Sequence, residues 1–276
     1  MRLDFTKMLG LGNDFIVVDA PDPAALPDAA AWRRLADRHT GVGFDQALIL
    51  QPPTRAGTAV HYRIFNADGG EVEQCGNGAR CVADLLRRRG RARDGALRMD
   101  SPAGVVEARV LAPGRISVNM GVPDFAPRAL PCEAPAAAAT HAIEVGGETL
   151  EIGAVSLGNP HAVLRVASVD AAPVERIGHA LQSHPRFPAR VNVGFMQVLD
   201  AGHIRLRVYE RGVGETRACG TGACAAVAVG RTLGLLGGDV QVQLPGGTLE
   251  IHWEGPDQPR WMTGPAEVAF ERHVDI

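Results

Sequence analysis

Short segments in which apolar and polar residues alternate recur along the chain and predict a fold rich in strands. Alternation places apolar side chains on one face of a strand, and turn residues bound each segment. Glycine (33 residues) and proline (19 residues) are frequent enough to supply many turns. The predicted strands are 3–8, 15–19, 46–51, 60–66, 97–101, 105–111, 115–120, 143–145, 149–152, 154–157, 161–166, 191–199, 203–210, 240–244, 248–253, 260–263 and 267–270.

Four other segments have the periodicity of helices. Two are short and amphipathic, 32–39 and 174–182. The third, 80–89, places Cys81, Val82, Leu85 and Leu86 at helical spacing, and the fourth, 225–236, is apolar nearly throughout. An apolar stripe that extends round the whole helix predicts burial on most sides.

The order of these elements occurs twice, which indicates an internal repeat. Adding 144 to the numbers of Arg63-Ile64-Phe65-Asn66 gives Arg207-Val208-Tyr209-Glu210, and the same shift maps Cys75-Gly76 onto Cys219-Gly220. A shift of 146 maps Gln46 onto Asn192. We therefore predict an α/β fold of the α+β type, with two similar halves related by a pseudo-twofold axis. Each half is a mostly antiparallel sheet wrapped around one central helix.

The boundaries of the halves follow from the point at which the pattern restarts. Residues 123–140 are rich in proline and alanine and are the predicted linker. We expect the N-terminal half to span 1–120, completed by the C-terminal strand 264–276, and the C-terminal half to span 121–263. Equivalent loops of the two halves then meet at their interface, where pockets are common.

Composition excludes several classes of protein. A formal net charge of −3 gives no reason to expect a nucleic-acid or membrane partner. No apolar run is long enough to span a bilayer, and the first residues have no apolar signal core. Five cysteines, an odd number, argue against a disulfide framework and favour a reduced, cytoplasmic protein.

Two of the cysteines, Cys75 and Cys219, stand directly before glycine at the start of a predicted helix. The N-terminus of a helix has free backbone N–H groups and a positive dipole end, so it binds anions. The same field lowers the pKa of a cysteine and favours the thiolate. We expect the other three cysteines to be small buried side chains, and their spacing does not match a zinc site. They are Cys81, Cys132 and Cys224.

Two thiols that face one small anionic substrate suggest inversion of configuration at a carbon. A thiolate removes the proton from one face, and a thiol delivers a proton to the other. The α-carbon of an amino acid is a very weak acid, so the site must stabilise a carbanion. Two helix N-termini directed at the α-carboxylate do this without a cofactor.

Further polar residues lie at the ends of predicted strands and fit a substrate with a second polar end. Arginine holds a carboxylate with two parallel hydrogen bonds, glutamate holds an ammonium group, and amides fix orientation. A histidine, His161, is placed to tune a neighbouring thiol. These strand-end residues are Asn13, Gln46, Asn66, Asn159, Asn192, Glu210 and Arg211.

At these residues the sequence closely resembles the diaminopimelate epimerases. Four motifs carry the resemblance in the same order and spacing, and it extends over the whole chain. They are the GLGNDF motif at 10–15, the FN-to-C motif at 65–81, GNPH at 158–161 and the ERG-to-CGTG motif at 210–222. Two positions depart from the common pattern, Leu9 in place of histidine and Gln74 in place of methionine, and both lie beside the motifs.

The resemblance implies the fold of that family and epimerisation of LL-2,6-diaminopimelate to the meso form, without pyridoxal phosphate or metal, by a homodimer. It implies that Cys75 and Cys219 are the acid/base pair and that His161 and Glu210 modulate the thiols. Backbone N–H groups of four residues would hold the reacting carboxylate, and seven side chains would complete substrate recognition. The four are Gly76, Asn77, Gly220 and Thr221; the seven are the strand-end residues above.

Three alternative functions remain open. A proline or hydroxyproline racemase resembles this sequence in fold and paired cysteines, but its first motif typically reads CGH where this chain has Cys75-Gly76-Asn77. An isomerase of the phenazine-biosynthesis type lacks the paired thiols. A non-catalytic amino-acid-binding protein on the same scaffold would not need them, and incorporation of solvent deuterium into the substrate separates it from an epimerase.

Overall fold

The computed structural model describes residues 2–22, 26–73, 75–92, 95–126 and 139–276. The greater part of the predicted linker lies outside these ranges, and so do Cys132 and Gln74. Two compact units make up the chain. The first comprises Met1–Asn119 with Thr263–Ile276, and the second comprises Met120–Met262.

The first unit is a mixed, mostly antiparallel sheet. Its strands are β1 (Arg2–Gly10), β2 (Asn13–Asp19), β3 (Gln46–Gln51), β4 (His61–Asn66), β5 (Glu71–Val72), β6 (Ala96–Ser101), β7 (Gly104–Ala112), β8 (Arg115–Asn119) and β18 (Glu267–Asp275). Strand β1 pairs antiparallel with β18 and β2, β2 runs parallel to β3, and β4 pairs antiparallel with β3 and β5. Strand β4 also runs parallel to β6, and β7 pairs antiparallel with both β6 and β8.

The second unit repeats this order of strand pairing. Its strands are β9 (His141–Val145), β10 (Glu148–Ser156), β11 (Pro160–Arg165), β12 (Asn192–Asp200), β13 (His203–Glu210), β14 (Gly214–Thr216), β15 (Asp239–Leu244) and β16 (Gly247–His252), and β17 (Trp261–Pro265) contains the boundary with the first unit. Strand β10 pairs antiparallel with β9 and β11, β11 runs parallel to β12, and β13 pairs antiparallel with β12 and β14 and parallel with β15. Strand β15 then pairs antiparallel with β16.

Strand register matches the internal repeat residue by residue. Phe15 lies opposite Gln46 in the parallel pair of the first unit, and His161 lies opposite Asn192 in the second. Both positions differ by 146, the shift found in the sequence. The predicted pair of similar α/β halves is therefore confirmed within each unit.

Among the described residues, each unit has one short helix and one buried helix of 13 residues. The short ones are α1 (Ala29–Ala36) and α3 (Val174–Gln182), and the buried ones are α2 (Gly76–Arg88) and α4 (Gly220–Thr232). Helix α2 packs on β7 and β8, and α4 packs on β10 and β12. Most residues of α4 are small and apolar, so the strands of the sheet pack closely against it.

Several predicted boundaries were wrong for identifiable reasons. Helix α2 starts four residues earlier than predicted and α4 starts five residues earlier, because a cysteine side chain caps each helix just before a glycine. Helix α4 also ends earlier than predicted, because Gly234 adopts a φ of 71°. The segments predicted as two strands around Gly153 form the single strand β10. Gly153 is needed there because an added Cβ would lie 2.2 Å from Val229 of α4. The two-residue β5 and three-residue β14 have too little pattern to be predicted.

Both units bury a conventional core beneath the short helix. In the first, the rings of Trp32 and Phe65 stack with centroids 5.8 Å apart. In the second, Ile177 and Leu181 of α3 pack in one buried cluster with Tyr209 of β13. No helix in the described part of the chain is long and apolar enough to cross a membrane.

Candidate active site

Cys75 caps the N-terminus of α2. Its backbone is extended, with φ −148° and ψ 109°, and its Sγ atom accepts a hydrogen bond from the N–H of Gly78 at 3.4 Å. The thiol is half-buried, whereas Gly76 and Asn77 behind it are buried. Cysteine therefore takes the position that serine or aspartate usually occupies at a helix start.

Cys219 caps α4 with the same geometry. Its φ is −125°, its Sγ accepts from the N–H of Gly222 at 3.4 Å, and the hydroxyl of Thr221 lies 3.5 Å from the sulfur. The side chain is buried, with 4% of its surface exposed. Both predicted thiols thus stand at equivalent, amide-lined helix N-termini.

The protonation of Cys219 differs from the sequence prediction. Burial raises the pKa of its thiol well above the usual value, and the neighbouring Glu210 carboxylate raises it further. The hydrogen bonds from Gly222 and Thr221 act in the opposite direction but are weaker. The expectation of thiolate character from the helix terminus was wrong for this cysteine, because desolvation of the charged form outweighs the two hydrogen bonds that the sulfur receives at the helix start. Cys219 is a proton-bearing thiol in this structure.

Glu210 joins the end of β13 to the second thiol. Its side chain is in hydrogen-bonding reach of Cys219, and its Oε1 accepts from the Thr216 hydroxyl at 2.5 Å. Burial raises the pKa of the carboxyl, while the Thr216 and Cys219 hydrogen bonds lower it in part. The Nε2 atom of Gln182 donates to the main-chain carbonyl of Glu210 at 2.7 Å, which holds the backbone at this point.

The polar residues of the first unit meet at one edge of its sheet. Strands β2 and β3 begin at this edge and β4 ends there, so Asn13, Gln46 and Asn66 lie on adjacent strands. Gln46 Nε2 donates to Asn66 Oδ1 at 2.9 Å. Asn77 Nδ2 donates to Asn13 Oδ1 at 2.7 Å, which ties this edge to the start of α2.

An ion network lies directly behind Asn13. Its Nδ2 donates to Asp45 at 3.1 Å, and Arg38 bridges Asp45 and Asp14. Lys7, which is buried, contacts Asp14 at 2.6 Å. Burial alone would raise the pKa of Asp14, but hydrogen bonds and charge from Arg38 and Lys7 hold it at about 2. The Asp14 carboxylate therefore remains ionised.

In the second unit, Asn159 and Asn192 occupy the equivalent edge. Asn159 Oδ1 lies 3.0 Å from Nε2 of His161. Asn192 uses both ends of its amide, with Nδ2 donating to the Pro160 carbonyl at 3.3 Å and Oδ1 accepting from the Arg211 N–H at 2.9 Å. The backbone of the loop that carries Arg211 is thereby fixed, while the Arg211 side chain is exposed.

His161 is neutral in this structure. It is almost fully buried, with 1% exposed, and burial lowers its pKa to about 3, helped by the positive charges of Arg260 and Arg211. Asn159 presents an acceptor oxygen, so the proton lies on Nε2. The predicted effect of His161 on a thiol stays a prediction.

Three contacting residues were missed by the sequence prediction. Thr216 belongs to the fourth motif, and its position within that motif was the available signal. Asp45 precedes Gln46, and Gln182 ends α3, but neither belongs to a local pattern that indicates its contact. Of the other cysteines, Cys81 and Cys224 are fully buried as expected.

Comparison with known proteins supports one family. The family model described as diaminopimelate epimerase matches residues 5–126 and 153–269. The diaminopimelate epimerase of Nitrosomonas europaea is 53% identical over 276 residues, and that of Thioalkalivibrio sulfidiphilus is 55% identical over 280 residues. Both alignments cover 100% of each chain.

Solved structures with the same architecture are more distant in sequence. A phenazine biosynthesis protein of the PhzF family from Bacillus anthracis has a TM-score of 0.70 at 17% identity, covering 100% of both chains. A hydroxyproline epimerase from Agrobacterium vitis has a TM-score of 0.71 at 17% identity, covering 99% of this chain and 92% of that one. These likenesses establish the fold alone.

The mixed sheets, each with a thiol-capped central helix, define the fold that the diaminopimelate epimerases share with these solved structures. On the full-length relatives, the chain belongs to the diaminopimelate epimerase family. Its activity is that of a diaminopimelate epimerase, an isomerase of lysine biosynthesis.

Proposed function

We propose that the chain interconverts LL- and meso-2,6-diaminopimelate by a two-thiol acid/base mechanism without a cofactor. The observation that carries this proposal is the pair of cysteines at equivalent helix N-caps, Cys75 on α2 and Cys219 on α4. One thiol takes the α-proton as a thiolate, and the other returns a proton to the opposite face. The halves 1–120 with 264–276 and 121–263 each supply one of them.

The helix N-termini are the proposed site of the reacting carboxylate. Backbone N–H groups of Gly76-Asn77 and of Gly220-Thr221 point outward from the first turns, where no helical acceptor is available. As the α-proton leaves, negative charge spreads into the carboxylate, and donors already in place stabilise it without reorganisation. This contribution replaces the electron sink that a cofactor supplies in other racemases.

Cys219 is proposed to enter one direction of the reaction as the proton donor. Its raised pKa keeps it neutral until substrate arrives. Once the proton is given to the carbanion, the Gly222 N–H and the Thr221 hydroxyl are already placed to stabilise the thiolate. In the reverse direction the same thiolate removes the α-proton, with Glu210 and His161 setting the balance between the two forms.

The remaining polar residues are proposed to recognise the parts of the substrate other than the reacting α-carbon and its carboxylate. Arg211 pairs with the distal carboxylate, Glu210 accepts from an ammonium group, and the amides of both units fix orientation. A homodimer in the cytoplasm is also proposed, on the resemblance to the family alone. Measurement of molar mass by light scattering tests the dimer.

The test is an assay with LL-diaminopimelate in deuterium oxide. We expect conversion to the meso form with one solvent deuteron at the inverted carbon, and no turnover of L-proline. Turnover of proline with no reaction of diaminopimelate would instead support the racemase alternative. Binding without any exchange would support the non-catalytic alternative.

A further inference from the structure

We propose that Thr216 is a positioning residue for the epimerase reaction: its hydroxyl holds the Glu210 side chain where that carboxylate contacts the Cys219 thiol. The inference rests on the proposed role of Cys219. Thr216 lies on β14, behind Glu210, and is not among the substrate-binding residues proposed above.

Strand pairing brings the two side chains together. In the antiparallel pair of β13 and β14, Thr216 lies opposite Val208, and Glu210 lies opposite Gly214. Glu210 is two residues beyond Val208 on β13, so it is the diagonal neighbour of Thr216 on the same face of the ribbon. Thr216 Oγ1 reaches Glu210 Oε1 at 2.5 Å, a short hydrogen bond of the kind that forms to an ionised carboxylate.

A largely buried carboxylate requires such a donor. A charged group removed from water is costly unless hydrogen bonds replace its solvation. The Thr216 hydroxyl serves one oxygen of Glu210, and Cys219 forms the second side-chain hydrogen bond. Gln182 contacts the main-chain carbonyl instead, so it fixes the backbone but does not solvate the carboxylate.

The internal repeat supplies a natural comparison. Subtracting 144 from 216 and 210 gives Val72 and Asn66, which occupy the same positions in β5 and β4. Asn66 carries no charge and receives its hydrogen bond from Gln46. Valine, which cannot donate, therefore stands in the half with the neutral amide, and threonine stands in the half with the carboxylate. The threonine hydroxyl is therefore found only in the half whose carboxylate, that of Glu210, needs a hydrogen-bond donor.

The groups around Glu210 determine the expected pH response. Cys219 faces it from α4, Thr216 faces it from β14, Arg211 follows it in the chain, and Gln182 approaches from α3. The Thr216 hydrogen bond lowers the pKa of Glu210, so its removal raises that pKa. The ionised Glu210 carboxylate then forms only at higher pH, so the acidic limb of the kcat/KM profile shifts to higher pH.

The experiment compares Thr216→Val with Thr216→Ser and with Val72→Thr as the matched control. Hydrogen bonds to charged groups are stronger than those between neutral groups, so kcat/KM of Thr216→Val should fall by about tenfold or more at neutral pH. Thr216→Ser keeps the donor and should restore most of the loss and the wild-type pH profile. Val72→Thr, in the half without the carboxylate, should leave both unchanged.

A double-mutant cycle with Glu210→Gln separates positioning from a general structural role. If Thr216 acts through Glu210, Thr216→Val adds little to the loss caused by Glu210→Gln. Fully additive losses, an unshifted pH profile for folded Thr216→Val, or a serine variant as impaired as the valine variant would overturn the proposal. Should Thr216→Val not fold, Thr216→Ala takes its place in the cycle. Failure of the wild type to epimerise diaminopimelate would refute the proposed function instead.

Discussion

The backbone N–H of Gly222 donates to the Sγ atom of Cys219 at 3.4 Å, across a position at which no side chain is tolerated without movement. A Cβ added to Gly222 would lie 3.2 Å from that sulfur and 2.9 Å from Val208 Cγ2. The methyl group of alanine must therefore displace the thiol or the Val208 side chain. The glycine keeps the sulfur close to the helix amides.

Gly222→Ala should accordingly lose activity out of proportion to stability. We expect kcat to fall by about tenfold to 100-fold, because small misplacements of a reacting group are costly. The better helix propensity of alanine should offset part of the steric strain. Gly194→Ala is the control, since its Cβ would meet Leu206 at an ordinary 3.5 Å. Equal kcat values in the two variants, measured beside urea unfolding, would contradict this.

Asp45 should affect substrate binding through Asn13. A carboxylate only accepts hydrogen bonds, so Asp45 forces the Asn13 amide to turn Nδ2 toward it and Oδ1 toward Asn77. Asp45→Ala removes this constraint and should raise KM for diaminopimelate by about tenfold. Asp170→Ala removes an exposed carboxylate that pairs with Arg205 and should leave KM unchanged. An unaltered KM in Asp45→Ala would exclude the orienting role.

Arg211 should discriminate for the distal carboxylate. Lysine cannot reproduce the two parallel hydrogen bonds of a guanidinium group, so Arg211→Lys should raise KM markedly. Its loop stays in place because Asn192 holds the Arg211 N–H. L-Lysine, which lacks the distal carboxylate, should be a very poor substrate of the wild type. Similar kcat/KM values for lysine and diaminopimelate would refute the assignment.

Neutral His161 should make stability depend on pH. Its folded pKa of about 3 lies below the unfolded value of about 6.5, so the unfolded chain binds the proton first as pH falls. The contribution of His161 to the free energy of unfolding is constant above about pH 6.5. Below that pH it decreases by at most about 1.4 kcal/mol per pH unit. Urea titrations between about pH 7.5 and about pH 4.5 measure the free energy of unfolding across this window. That free energy should decline less steeply for His161→Asn than for the wild type. Parallel declines would contradict the burial account.

Much of the fold was predictable because the internal repeat shows the same order of elements twice, so each half supports the assignment of the other. The short apolar run of β3, for example, predicted the bounds Gln46–Gln51 that the structure has. The starts of α2 and α4 were not predictable from propensity, since Gly76-Asn77-Gly78 and Gly220-Thr221-Gly222 are poor helix formers. Capping by cysteine and burial in the sheet override that propensity. Strand β18 runs past its predicted end because β1 pairs with it as far as Asp275.

The candidate site was predictable as a set of residues and less so as an electrostatic environment. Motif spacing singled out the two thiols and the strand-end amides, and their roles stay predictions. It could not show that burial and Glu210 raise the pKa of Cys219, because both depend on packing between α4 and β13. Gln182 and Asp45 were missed for the same reason, as their contacts join residues 28 and 32 positions apart.

The two-thiol mechanism is tested most directly by the rate of meso-diaminopimelate formation from the LL isomer in deuterium oxide, for the wild type, Cys75→Ala and Cys219→Ala. Each thiol serves one face of the carbon, so neither replaces the other. The account predicts deuterated meso product from the wild type and none above background from either folded variant. Epimerisation at a near-normal rate by either alanine variant would contradict it.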